Sequence, residues 1–116
     1  MRIMKPWGYE EIIEDTPTHT IKRLVVNPKG RLSLQYHERK IETMILVSGT
    51  AVLLLQHHAK KMATIVMVPQ EPHVIRPFEK HRLINPTEDK IATIIEVSTH
   101  EPDDVVRVED DYGRGT

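Results

Sequence analysis

Apolar and polar residues alternate in short runs along most of this chain, at the two-residue period of a strand with one buried face. Residues 31–37 show it clearly: Leu32, Leu34 and Tyr36 fall on one face, and Ser33, Gln35 and His37 on the other. Runs rich in Val, Ile, Leu and Thr predict strands over 9–14, 20–26, 31–37, 42–48, 51–56, 64–68, 73–76, 81–85, 91–98 and 104–108. Turn chemistry separates them at Asn27-Pro28-Lys29-Gly30, Ser48-Gly49, Pro69 to Pro72 and Asn85-Pro86-Thr87-Glu88-Asp89. Residues 58–67 also fit a helical spacing. Eight prolines spread along the chain interrupt long helices. Many short strands between frequent turns predict an antiparallel sandwich or small barrel, and 116 residues suffice for one all-β domain spanning 1–116.

Composition narrows the function classes. There is no cysteine, which excludes disulfides, thiolate metal sites and a cysteine nucleophile. Sixteen Lys and Arg against seventeen Asp and Glu leave a formal charge of −1, so there is no electrostatic case for a nucleic-acid or membrane-surface partner. No apolar run approaches the roughly 20 residues of a membrane span, and Met1-Arg2-Ile3-Met4-Lys5-Pro6 lacks a signal-peptide pattern. A cytoplasmic protein is the expectation. Seven histidines in so short a chain are the compositional oddity.

Gln35 and His37 stand two apart on one predicted strand, so their side chains leave the same face about 7 Å apart. If the chain turns back within 38–41, a neighbouring strand about 4.8 Å away brings Glu42 to the same point. His81 supplies a fourth group after the turn containing Pro77. Two imidazoles, a carboxylate and an amide oxygen form a mixed nitrogen and oxygen shell suited to a borderline divalent ion. Zinc is the expected metal, with manganese, iron, cobalt or nickel as alternatives. The plain alternative is a solvated hairpin face, with His81 a satisfied core histidine. His57-His58 with Lys60-Lys61 reads as an exposed turn, His19, His73 and His100 have no convergent partner in sequence, and Trp7 reads as a packing anchor.

The same residues resemble the cupin superfamily. Its first motif, a glycine, two histidines two apart, a glutamate and a second glycine, is matched by Gly30, Gln35, His37, Glu42 and Gly49, with Gln35 in place of the first histidine. Its second motif ends in a histidine and asparagine, matched by His81 and Asn85. More specifically, the chain resembles the cupin domain of type II mannose-6-phosphate isomerases, which the family fuses behind a mannose-1-phosphate guanylyltransferase. The matching segments are Lys5-Pro6-Trp7-Gly8, Lys22-Arg23, Ser33-Leu34-Gln35 with His37, Val47-Ser48-Gly49-Thr50-Ala51, His81-Arg82 with Asn85-Pro86, Glu96-Val97 and the end of the chain from Asp103-Asp104 through Arg107 to Arg114. They run nearly end to end in the family's order. With Met1 just before the family's usual opening and Arg114 near its usual end, a free-standing product is expected. Departures stand at Arg39, Lys40 and Met44, where the family has histidine, arginine and tryptophan, and at Phe78, where the family's approach to the second motif has glycine.

The resemblance implies a cupin-type jelly-roll barrel of antiparallel strands, with a metal held by Gln35, His37, Glu42 and His81. It implies a sugar-phosphate isomerase interconverting mannose-6-phosphate and fructose-6-phosphate through an enediolate. The substrate partner is then a small sugar phosphate, and the working form a homodimer. Lys22, Arg39 and Lys40 are the candidate catalytic groups. Ser33, Arg23, Arg82, Arg107 and Arg114 are the candidates for binding substrate, since a phosphate wants paired cations; ion pairing with a neighbouring carboxylate is the alternative for each arginine. Two other functions use the same residues. His37, His81 and Glu42 also fit the two-histidine, one-carboxylate triad of iron oxygenases, and a non-catalytic, sugar-binding cupin needs no chemistry at all.

Overall fold

In the computed structural model, residues 1–57 and 59–113 are described, and they form eleven strands and no helix. The strands are β1 (Arg2–Lys5), β2 (Gly8–Asp15), β3 (His19–Val26), β4 (Leu34–Tyr36), β5 (Glu42–Ser48), β6 (Val52–Gln56), β7 (Ala63–Val66), β8 (Pro72–Ile75), β9 (Lys80–Ile84), β10 (Ala92–Thr99) and β11 (Val106–Glu109). They pair antiparallel in two sheets, in the orders β1-β2-β3-β10-β5-β8 and β11-β4-β9-β6-β7. This is the two-sheet antiparallel arrangement expected of a jelly roll. No helix among the described residues is long and apolar enough to cross a membrane.

Inward positions at every second residue build the core. Leu24 and Val26 of β3, Met44 and Leu46 of β5, Leu53 and Leu55 of β6, Leu83 of β9 and Ile94 of β10 are buried, and Trp7 packs against them from the β1–β2 turn. Each such aliphatic side chain contributes about 1.5–3 kcal/mol on leaving water. Val52, Leu54 and the other alternate positions look outward and are only half-buried. Turns hold their own polar groups. The Asn85 amide, fully buried, donates to Val26 O at 3.0 Å and Lys90 O at 2.7 Å, while its oxygen accepts the Thr87 N–H at 3.0 Å. Gly49 sits at φ +84°, where a Cβ would lie 2.4 Å from Ile91 O.

Two expectations are corrected, and one alternative is set aside. Residues 31–37 are strand only at Leu34–Tyr36, with a single bridge from Arg31 to Ile84. The helical alternative is not used over the described residues 59–67, where the expected strand forms as β7, Ala63–Val66, all four of its residues pairing with β6; residue 58 lies outside the described residues. β4 and β5 are not neighbours along a hairpin. They lie in opposite sheets, so the loop between them crosses the barrel instead of turning back. β1 was not expected, because four residues of mixed character carry too short a pattern.

Candidate metal centre

His37 follows β4, Glu42 opens β5 from the facing sheet, and His81 lies on β9. Register sets Gln35 of β4 directly opposite His81. The polar face of 33–37 therefore looks into the barrel, and the apolar face carrying Tyr36 looks out, where its ring stacks on Phe78 at 5.9 Å. His37, Glu42 and His81 are each about 1% exposed. Their ligand atoms lie within 4.8 Å of one another, with Glu42 Oε1 at 3.1 Å from His37 Nε2 and 2.8 Å from His81 Nε2. The two rings are 5.1 Å apart.

The donor chemistry fits a cation. Each Nδ1 faces a backbone carbonyl, Asp104 O for His37 and Glu79 O for His81. A carbonyl only accepts, so each Nδ1 carries the proton, and a neutral ring then presents a lone pair at Nε2. Three potential ligand atoms thus converge in a buried space. His81 Nε2 is buried with no hydrogen-bond partner among the described residues, near Glu42 but off the axis of a hydrogen bond. A positive charge between them relieves this mutual repulsion, and two nitrogens with one carboxylate match a borderline divalent ion. Burial pushes the Glu42 carboxyl up, but hydrogen bonds from the ring nitrogens when Nε2 carries a proton, together with the charge of Lys40, outweigh it and hold the group well below its ordinary value, as an anion; an ion takes the place of those protons.

Beside these three side chains lies a cavity of about 180 Å³. Gln35 lines it, its Oε1 accepting the Ser33 hydroxyl at 2.6 Å, and Ser33 lines it as well. Lys22 and Lys40 reach it from β3 and from the loop before β5. Lys40 Nζ is 3.6 Å from Glu96 and 3.9 Å from Glu42; Lys22 Nζ is 3.4 Å from Glu10. Arg107 of β11, in register with Gln35, also lines it, and its Nε is buried without a hydrogen-bond partner among the described residues.

Other candidates face elsewhere. Strand alternation turns Arg23 away from Lys22 and onto the outer surface, where it pairs with Glu11 at 3.0 Å. Arg82 likewise points away from His81; its side chain is buried under the end of the chain, donating to Leu32 O at 2.8 Å and Asp111 at 3.2 Å. Arg39 is outside the cavity, paired with Glu101 at 3.2 Å. These three arginines are corrected from site groups to structural ion pairs. Arg114 and His58 lie outside the described residues. His57 is exposed at the turn after β6, as expected, and there meets the carboxylate of Glu79; His73 turns its buried Nε2 inward from β8, opposite Met44.

Sequence reasoning missed Glu96 and Asp104. Glu96 lines the cavity from β10, between Lys22 and Met44 in register. Burial and the negative charge of Glu42 push its carboxyl up to about 8 against the pull of Lys40, so it is largely protonated at neutral pH. Its signal was available: Glu96 alternates with Ile94 and Ser98 on the buried face of 91–98. Asp104 gave no such signal, because its carbonyl, not its side chain, meets His37.

Comparison with known proteins agrees with this geometry. The family model described as "Mannose-6-phosphate isomerase C-terminal" matches residues 1–110. The xanthan biosynthesis protein XanB of Xanthomonas campestris pv. campestris is 33% identical over 116 residues, covering 97% of this chain and 24% of that protein. The alginate biosynthesis protein AlgA of Pseudomonas aeruginosa is 33% identical over 115 residues, covering 97% and 23%. The chain thus spans about a quarter of the length of these curated relatives. Among solved structures, the capsular polysaccharide assembling protein CapF of Staphylococcus aureus superposes with a TM-score of 0.83 at 19% identity, over 94% of this chain and 32% of that one. A cupin-superfamily sugar phosphate isomerase of Silicibacter pomeroyi gives 0.66 at 23% identity, over 81% and 60%. A two-sheet barrel with a buried His-Glu-His cluster, matched along nearly its whole length, places this chain in the mannose-6-phosphate isomerase C-terminal family, as a cupin domain.

Proposed function

We propose that this chain is a metal-dependent sugar-phosphate isomerase acting on the pair mannose-6-phosphate and fructose-6-phosphate. The observation that carries the reading is the convergence of His37, Glu42 and His81 beside a small cavity lined by ionisable groups. Gln35, opposite His81, is the fourth ligand in this reading. A divalent ion held there, zinc first among those the donors suit, supplies the Lewis acidity that polarises a sugar carbonyl.

The remaining work falls to the chain's own residues. Aldose–ketose exchange moves a proton between C1 and C2, which needs a carrier within hydrogen-bond reach of both carbons. Glu96 is the cavity carboxyl that stands beside Glu42 without sharing its ligand role, and we assign it the carrier's part: its carboxylate form, the minority at neutral pH, takes the proton from C2 and the resulting acid returns it to C1. Lys40, between Glu96 and Glu42, steadies the negative charge that builds on the sugar oxygens. Lys22, held by Glu10, adds positive charge on the same wall. Arg107 has donors to spare at the cavity, and a phosphate accepts from a guanidinium in two parallel bonds.

The test is turnover by the zinc-loaded chain, followed by NMR in deuterated water. Wild type is expected to interconvert the two hexose phosphates and to take up solvent deuterium at C2 of mannose-6-phosphate. Glu42→Ala is expected to fold and to lose turnover to background. A folded, zinc-loaded wild type that converts no hexose or pentose phosphate contradicts the reading and leaves a binding cupin in its place.

A further inference from the structure

Both imidazoles of the centre are held in the same way, by the main chain of a buried acid. His37 Nδ1–H donates to the carbonyl of Asp104, and His81 Nδ1–H to the carbonyl of Glu79 at 2.9 Å. The carboxylate of each acid then fixes where that carbonyl lies. Asp104 accepts three successive backbone N–H groups, from Glu38 at 3.0 Å, Arg39 at 2.7 Å and Lys40 at 2.8 Å. Glu79 accepts the Arg76 N–H at 2.7 Å with one oxygen and meets His57 with the other. Both residues are nearly inaccessible, 4% and 2% exposed. Both carboxylates are thus fully occupied by the loops they tie.

We propose that Asp104 and Glu79 are a matched pair of positioning residues, each choosing the tautomer and aim of one histidine through its own backbone carbonyl. Neither carboxylate is hydrogen-bonded to the ring of His37 or His81. Asp104 clamps the loop that carries His37 across from β4 to β5, and Glu79 closes the turn that leads into β9 and His81. A proton fixed on Nδ1 leaves Nε2 as the lone pair facing Glu42, which is the orientation a shared ion requires. The proposal deepens the metal-centre reading, and its zinc measurement rests on that reading; its tautomer measurement does not.

Nitrogen-15 NMR of the histidine rings in the full chain tests it, together with calorimetric titration of zinc. In metal-free wild type, Nδ1 of both His37 and His81 is expected to carry a proton. Asp104→Asn places amide hydrogens against the N–H groups of 38–40 and is expected to scramble the His37 tautomer while leaving His81 unchanged; Glu79→Gln does the reverse. Each variant is expected to weaken zinc binding by about 10- to 100-fold, the range seen when outer partners of metal ligands are lost. A wild type with Nδ1 unprotonated on either ring overturns the proposal even if a variant fails to fold. So do variants whose tautomers and zinc affinity both stay at wild-type values. If wild type binds no zinc at all, the metal-centre reading fails, and the tautomers still decide the positioning role.

Discussion

At the scale of single residues, Phe78 shows how a departure from the family pattern is absorbed. It stands where the family has glycine and keeps the left-handed backbone that glycine allows, φ +65°, with its N–H donating to His37 O at 2.7 Å. A side chain there costs about 1–2 kcal/mol against glycine, partly offset by the Tyr36 stack, worth about 0.5–1.5 kcal/mol. Phe78→Ala loses the stack and keeps the strain, whereas Phe78→Gly loses both. Chemical denaturation is therefore expected to rank the glycine variant above the alanine variant by about 1 kcal/mol. The opposite order would show that the turn does not need its left-handed residue. The ligand residues were legible because their side-chain chemistry is itself the signal: imidazole and carboxylate at family spacing. Glu79 and Asp104 were not, because what matters in them is a backbone carbonyl placed by burial. Arg23 and Arg82 misled because period two separates each from its neighbour without saying which face points inward.

Among elements, β5 was legible to both ends, Glu42–Ser48, whereas the clear alternation over 31–37 outran its strand, Leu34–Tyr36. Sheet membership was not legible. Pairing β4 with β5 follows from sequence proximity, but in a jelly roll the polar inward face of β4 must meet β5 from the facing sheet. The end of the chain is a second such case. β11 carries Arg107 to the cavity, and beyond it Asp111 grips Arg31 through two hydrogen bonds of 2.7 Å and Arg82 at 3.2 Å. The Arg31 hydrogen bonds hold the Asp111 carboxyl below its ordinary value. A carboxyl lowered on folding stabilises above its unfolded value near 4 and ceases to as pH falls through the folded one. Hydrogen-exchange protection of β11 amides is thus expected to drop below about pH 4 in wild type. In Asp111→Asn it should already be reduced about two- to five-fold at neutral pH, as for an exposed ion pair, with a flatter acid response. Equal protection in the two proteins at neutral pH would show that the clamp does not hold the strand.

For the whole molecule, two sheets carry the centre between them: β4 and β9 supply the histidines' side from one, and β5 supplies the carboxylate from the other. The site therefore exists only when the barrel is closed, which is why a chain this small can hold three buried polar side chains together. Zinc-edge anomalous diffraction from crystals grown with zinc locates the ion without reference to activity. One peak is expected about 2.0–2.2 Å from Nε2 of His37, Nε2 of His81 and an oxygen of Glu42. No peak there, or one seated instead at His19 and Glu14 or at His57 and Glu79, would contradict the account.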